Sequence, residues 1–136
     1  MFALLAAAHA LEDRLDDALD RVGLSMSKLG VLTQLVQAGE PLALSQLAAR
    51  LSCVRSNMTQ LVDRLEADGL VRRVDDPADR RSVLAEVTTL GESRQAEGAR
   101  ELARIREDFA ESMAPADRAA LERVLGSLSK AGAGKV

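Results

Sequence analysis

The sequence of 136 residues has almost no aromatic side chains, with no Trp, no Tyr and only two Phe. Its core must therefore be aliphatic, with Leu, Val and Ala packed as they are between helices. No run of about 18 apolar residues occurs, so no membrane span is expected. The apolar start, residues 1–11, is not preceded by basic residues and runs directly into charged ones. We interpret it as a helix rather than a signal peptide.

Cysteine and histidine are almost absent as well, with one residue of each type. A single Cys cannot form an internal disulfide and fits a reducing cytoplasm. One His and one Cys cannot provide the ligand spacing of a zinc site. No nucleophile and base occur together, and the acidic pairs lie on predicted helix surfaces. We therefore expect a cytoplasmic protein that is not an enzyme, with no catalytic residue, metal site or cofactor.

An excess of basic charge is also missing, because 18 Lys and Arg stand against 21 Asp and Glu, a formal net charge of −3. Taken alone, this balance argues against nucleic-acid binding. The distribution of charged residues along the chain makes this argument weaker. Residues 44–90 hold seven Arg and seven acidic residues, whereas the remainder holds 11 basic and 14 acidic ones. The acidic excess therefore lies outside residues 44–90.

Within that stretch, residues 54–68 have the pattern of an amphipathic helix. Four apolar side chains recur at i, i+3, i+4 and i+7: Met58, Leu61, Val62 and Leu65. The opposite face carries hydrogen-bonding side chains and no Lys, whereas an ordinary solvated face is rich in Glu and Lys pairs. These polar residues are Ser56, Asn57, Thr59, Gln60, Asp63 and Arg64.

A shorter helix is predicted immediately before it, with Leu44, Leu47, Ala48 and Leu51 on one side. Ser45 is its expected N-cap. Only a few residues separate the two helices, so they must pack at a steep angle. This is the pattern of a helix-turn-helix, whose second helix can enter the major groove of DNA.

A short hairpin follows the two helices. Gly69 is predicted to end the second helix, and residues 71–74 form a strand. Residues 75–81 form a turn that bears Arg80 and Arg81 at its far end. Val83, Ala85 and Val87 alternate with less apolar residues on the return strand. A hairpin joined to a helix-turn-helix makes a wing, whose arginines could reach a narrow minor groove.

These segments resemble the winged helix-turn-helix of the MarR family of bacterial transcriptional regulators. The matching runs are LSQLAARL (44–51), MTQLVDRLEADGLVRR (58–73) and DPADRRSVLAEVT (76–88), followed by Gly91. The resemblance implies a mainly α fold with a small β-hairpin wing, in one domain over residues 1–136. The winged helix-turn-helix would span 25–90, between dimerisation helices at 1–23 and 92–130. Residues 40–43 would hold a small strand that pairs with the wing.

The resemblance also implies roles for individual residues. It places Arg64 on a DNA phosphate and Arg81 in the minor groove beside Arg80, with Asp79 holding a wing arginine by a salt bridge. The major groove would be lined by Ser56, Asn57, Thr59, Gln60 and Arg64. The alternative interpretation is a solvated helix face and a turn with solvated charges.

One position departs from the family pattern. The residue that opens the second helix in such proteins is commonly Ser or Thr, whereas here it is Val54, two residues after Ser52. Either the helix begins earlier or it has no side-chain cap. The placement of Ser56 depends on which of these holds.

The flanking segments read as further helices. Ser25 is a good N-cap for a helix through Ala38, closed by Gly39. Its inward residues are expected to be Leu29, Leu32, Leu35 and Val36. After the wing, Thr88 or Thr89 can cap a long helix to about Met113. Its predicted stripe is Ala99, Leu102, Ile105, Phe109 and Met113, and Pro115 suits the first turn of a last helix.

The first and last helices carry apolar seams that a small winged domain cannot cover alone. The first seam is Leu4, Ala8, Leu11, Leu15, Ala18 and Val22, and the last is Leu121, Val124, Leu125 and Leu128. The first helix could be core-facing or contribute to a dimer. MarR-like proteins dimerise through these helices, so the resemblance and the need for burial both predict a homodimer.

Together these features predict a homodimeric repressor that binds double-stranded DNA at a pseudo-palindromic operator. As in the family, a small apolar or aromatic ligand would release it. A different class of function is a winged-helix module that binds another protein, which the near-neutral charge motivates.

Cys53 leaves a third alternative open. It lies in the turn of the helix-turn-helix, where a buried Cys would be an inert apolar plug. Arg55 and a helix N-terminus nearby could instead lower its pKa and make it a redox sensor.

Overall fold

The computed structural model describes residues 2–51 and 55–133, and side chains within 2–51 and 57–131. The chain forms two compact units, residues 1–102 and residues 103–136. The elements are α1 (Phe2–Asp20), α2 (Met26–Ala38), β1 (Leu42–Ala43), α3 (Leu44–Arg50), α4 (Arg55–Ala67), β2 (Val71–Asp75), β3 (Val83–Val87), α5 (Thr89–Glu111) and α6 (Pro115–Ala133). The predicted mainly α fold with a small antiparallel sheet is confirmed.

Helix α2 begins and ends where its sequence predicts. The Ser25 Oγ accepts the Lys28 N–H at 3.2 Å, and Gly39 takes a left-handed conformation with φ 67°. One inward assignment was wrong, because Val36 is exposed and Val31 is fully buried instead. The helix buries a wider arc than a single stripe, since it packs against several neighbours.

The start of α3 also differs from the prediction. Ser45 was expected to be the N-cap, but the helix already begins at Leu44, and Ser45 is exposed in its first turn. The N-cap is Ala43, whose N–H donates to Gln46 Oε1 at 2.9 Å. Ala43 is held extended because it belongs to β1 and pairs with Leu84. Strand pairing therefore sets the start of this helix.

The apolar stripe of α4 is confirmed. Met58, Val62 and Leu65 have no exposed surface, and Leu61 is partly buried against the same core. Gly69 follows the helix with φ 76°, which only glycine adopts at little cost. Burial of three large side chains fixes the rotation of α4 about its axis, and this rotation determines which residues face solvent.

The sheet has the strand order β1–β3–β2, with both pairs antiparallel. In the hairpin, Val71 pairs with Val87 and Asp75 with Val83. The expected small strand over residues 40–43 is present as β1, and it pairs with the wing. Along β3, Ala85 is buried and Val83 is exposed, because Val83 lies at the wing end beyond the core.

Helix α5 starts against the end of the helix-turn-helix. The Thr88 Oγ1 accepts the Gly91 N–H at 3.0 Å, so Thr88 is the cap. Ala99 was expected to face inward but is exposed. Gly98 is buried instead, close to Leu24 and Leu29. Glycine at this position lets α5 approach those two side chains closely, so the inward stripe includes Gly98 in place of Ala99.

The core lies in the first unit and is aliphatic, as the composition requires. Its fully buried large side chains are Leu19, Val31, Leu32, Leu35, Leu42, Leu47, Met58, Val62, Leu65, Leu70 and Val71. In the second unit Ile105 is buried, whereas the α6 residues Val124, Leu125 and Leu128 are exposed by 46–51%. None of the described helices is both long and apolar enough to cross a membrane.

Candidate nucleic-acid interface

The polar face of α4 is exposed over residues 57–64. Asn57, Thr59, Gln60 and Arg64 all lie at the surface, opposite the buried stripe. The backbone of Ser56 belongs to the helix, and its side chain lies outside the described part. The structure therefore brings four of the five predicted major-groove residues together on one solvent-facing surface.

A shallow hollow of about 310 Å³ borders this face on the side of α2. It is lined by Asn57, Gln60, Leu61 and Arg64 from α4, and by Ser25, Ser27 and Lys28 from the start of α2. No short pattern in the chain predicts this neighbourhood, because its two groups of residues are more than 25 positions apart and are brought together only by packing of the core.

Arg73, on β2, joins the wing to α4. Its Nη1 donates to Glu66 Oε1 at 2.9 Å, its Nη2 donates to Asp63 Oδ1, and its backbone N–H donates to Glu66 Oε2 at 3.0 Å. Partial burial lowers the pKa of Arg73, but the hydrogen bonds and charges of Asp63 and Glu66 outweigh this and raise it above the ordinary value. The guanidinium is thus a fixed cation that binds two carboxylates about one turn apart on α4.

A second cation binds the end of the same helix. Lys28 Nζ lies 2.9 Å from Asp68 Oδ2, which links α2 to the residue after α4. Residues 55–68 contain three acidic residues, Asp63, Glu66 and Asp68. All three are therefore paired with cations from outside α4. No ion pair joins Arg64 to another described residue.

The wing turn is shaped by two aspartates that accept backbone N–H groups. Asp76 Oδ1 accepts the Ala78 N–H at 2.9 Å, and Asp79 Oδ1 accepts the Arg81 N–H at 3.0 Å. The expected salt bridge from Asp79 to a wing arginine is not among the ion pairs of the described residues. Asp79 instead fixes the backbone from which the exposed Arg80 and Arg81 project.

The neighbouring Arg72 lies on the other face of β2. Its Nε donates to Glu86 Oε2 on β3 at 2.9 Å, and its side chain is 65% exposed. The hydrogen bond and the charge of Glu86 raise the pKa of Arg72. Glu86 also lines a hollow of about 170 Å³ with Glu40 and Glu92, away from α4. Arg72 and Arg73 thus have the same kind of partner on opposite sides of the wing.

Two other sequence hypotheses concern reactive groups. Cys53, the candidate redox residue, and Val54 lie outside the described residues. Within residues 2–51 and 55–133, no three His, Cys, Asp or Glu side chains are grouped so that they could hold a metal ion.

Residues 24–83 match the model of the MarR family. This segment, less than half of the chain, resembles a MarR family domain. The matched residues run from the start of α2 to the beginning of β3, so they include the exposed face of α4 and the wing turn.

The curated relatives that the chain matches include HTH-type transcriptional regulators. The uncharacterized HTH-type transcriptional regulator YkoM of Bacillus subtilis is 39% identical over 69 residues, which are 51% of this chain and 44% of YkoM. The chain spans about half the length of the curated relatives it matches.

Solved structures are similar to this chain over most of its length. AbsC of Streptomyces coelicolor, a MarR family transcriptional regulator, is 27% identical with a TM-score of 0.81, over 98% of this chain and 91% of AbsC. A MarR variant from E. coli, solved with operator DNA, is 20% identical with a TM-score of 0.79, over 93% of this chain and 90% of that one. At that identity the second likeness concerns the fold alone.

Proposed function

We propose that the protein is a sequence-specific DNA-binding transcriptional repressor that acts as a homodimer in the cytoplasm. The observation that carries this proposal is the surface of α4. Its polar face is exposed, and its acidic residues are each paired with a cation from another element. A helix with its acids compensated can approach phosphates, although residues 44–90 have no net charge.

In this proposal α4 enters the major groove and the wing follows the backbone into the minor groove. Ser56, Asn57, Thr59 and Gln60 face base edges, with Arg64 on a phosphate. Asp79 shapes the turn from which Arg80 and Arg81 reach the neighbouring groove. A small ligand of apolar or aromatic character, as the family resemblance implies, would release the protein from DNA.

The homodimer is supported by apolar side chains that the protomer leaves uncovered. On α1, Leu4 and Leu5 are about half exposed, and α6 exposes the apolar side chains described above. Light scattering should give about twice 14.5 kDa. Two copies would present their α4 helices to half-sites about 34 Å apart, one turn of DNA. A stable monomer at micromolar concentration would contradict the dimer.

A gel shift with the DNA upstream of the protein's own gene, repeated over a salt series, tests the function. Each phosphate contact releases a counterion, so the logarithm of the binding constant should fall linearly with the logarithm of salt concentration. Absent or salt-insensitive binding would favour a winged-helix module that binds another protein.

Substitution of Arg81 by Ala should weaken binding to the preferred DNA by about 1–3 kcal/mol, because a groove contact is lost. The thermal midpoint should hardly change, since the side chain is exposed and forms no ion pair with a described residue. Fluorescence anisotropy with labelled duplex measures the affinity. The control is Arg14→Ala on α1, which removes the same charge far along the sequence from the wing. Equal affinities of the two variants would remove Arg81 from the interface.

A further inference from the structure

We propose that Arg73 is a positioning residue for DNA recognition, which sets the orientation of α4 relative to the wing. This inference rests on the proposed DNA-binding function. It assigns to Arg73 no contact with bases. Its role is to hold α4 and the wing in one fixed geometry, so that both fit the same DNA site.

The contacts of Arg73 are suited to this role. Its guanidinium binds Glu66 and Asp63, which are three residues apart on α4, and its backbone N–H binds Glu66 again. Three hydrogen bonds from one residue restrain both rotation and sliding of α4 against β2. The Arg73 side chain is 25% exposed, whereas Asp63 and Glu66 are 59% and 43% exposed, so only the guanidinium is shielded from water.

The position of Arg73 along the wing strengthens the inference. Arg73 pairs with the buried Ala85 in the middle of the β2–β3 ladder. Its partners Asp63 and Glu66 alternate along α4 with the exposed Gln60 and Arg64. The bonds from Arg73 to Asp63 and Glu66 form a clamp between β2 and α4. A displacement of α4 at this clamp would move Gln60 and Arg64 directly. Recognition of base edges depends on such displacements, whereas attraction to phosphates hardly does.

A role in positioning and a role in charge predict different results for two complementary variants. Arg73→Gln removes one positive charge. The carboxamide variant, which carries both Asp63→Asn and Glu66→Gln, removes two negative charges. Both break the clamp. A purely electrostatic role would make the first variant bind all DNA more weakly and the second bind all DNA more tightly.

The experiment first selects a preferred duplex with the wild-type protein from random-sequence DNA. Anisotropy then measures affinity for that duplex and for a scrambled duplex of the same composition. For both variants we expect the ratio of the two affinities to fall roughly ten-fold, which is within the range of coupling between contacting residues. Affinity for the scrambled duplex should fall for Arg73→Gln and rise for the carboxamide variant. Arg72→Gln, which breaks the Glu86 pair on the opposite face, should leave the ratio unchanged.

Several outcomes would overturn the proposal. An unchanged ratio in both clamp variants would show that Arg73 does not position α4. An equal loss of affinity for both duplexes in Arg73→Gln, with an unchanged ratio, would make Arg73 a phosphate contact. Thermal melts show whether Arg73→Gln is folded, and the carboxamide variant decides the question if it is not. If the wild-type protein selects no preferred duplex, the proposed function itself fails before Arg73 is tested.

Discussion

Replacement of Gly91 by Ala is expected to destabilise the first unit by about 3–5 kcal/mol, which is a large part of the stability of an ordinary domain. A Cβ at this position would lie 2.0 Å from the Leu70 carbonyl oxygen and 2.8 Å from Val87 Cγ2. The carbonyl belongs to the backbone and already accepts the Thr88 N–H at 3.0 Å. Relief of the clash therefore requires α5 to move away, which would break the contacts at its start.

Urea denaturation followed by circular dichroism measures this effect as a shift of the unfolding midpoint. The matched control is Gly126→Ala in α6, where a Cβ would meet nothing within 4 Å. Alanine there should stabilise the helix by roughly 0.5–1 kcal/mol, because glycine costs that much in a helix interior. A Gly91→Ala protein with the wild-type midpoint would show that the start of α5 is not closely packed.

Substitution of Leu125 by Glu should dissociate the proposed dimer without unfolding the protomer. Leu125 is 46% exposed in the single chain, so a charge there meets water when the chain is alone. In an interface the same carboxylate would be buried without a partner, which is costly. In a two-fold dimer the substitution acts twice. We expect the dissociation constant to rise by at least about 100-fold, equivalent to about 3 kcal/mol.

Sedimentation over a concentration series measures the change in dimer dissociation constant. Affinity for DNA should also decrease when the dimer is lost, because two half-sites are no longer bound together. The control is Ser127→Glu, which adds the same charge about 200° away around the helix. Its hydroxyl donates to the Arg123 carbonyl oxygen of its own helix. A Leu125→Glu protein that stays dimeric would place the interface elsewhere.

Local periodicity explains why so much of the fold could be predicted. The stripe of Met58, Val62 and Leu65 follows from helical spacing, and all three are fully buried. The caps at Ser25 and Gly39 depend on neighbouring residues only, so they too were readable. The errors at Ser45 and Val36 arise where a distant element decides, through strand pairing at Ala43 and packing around α2.

The candidate site could be predicted in part for the same reason. The polar face of α4 and the turn bearing Arg80 and Arg81 are visible as patterns within short stretches. Arg73 and Lys28 were missed because their roles depend on partners that the fold brings near. In addition, Arg73 follows Arg72, and two adjacent arginines form no distinctive sequence pattern. For Asp79, the family resemblance implied a salt bridge to a wing arginine. In this structure its carboxylate instead accepts a backbone N–H of the turn.

Thr88 connects the residues that follow α4 to the first turn of α5 by hydrogen bonds. Its hydroxyl donates to the Gly69 carbonyl oxygen at 2.7 Å and accepts the Gly91 N–H, while its own N–H donates to the Leu70 carbonyl oxygen. One side chain therefore locks the residues that end α4 to the first turn of α5. A hinge cannot open at this junction unless these bonds break. A change in the direction of the first turn of α5 would therefore strain the bonds that hold the residues after α4.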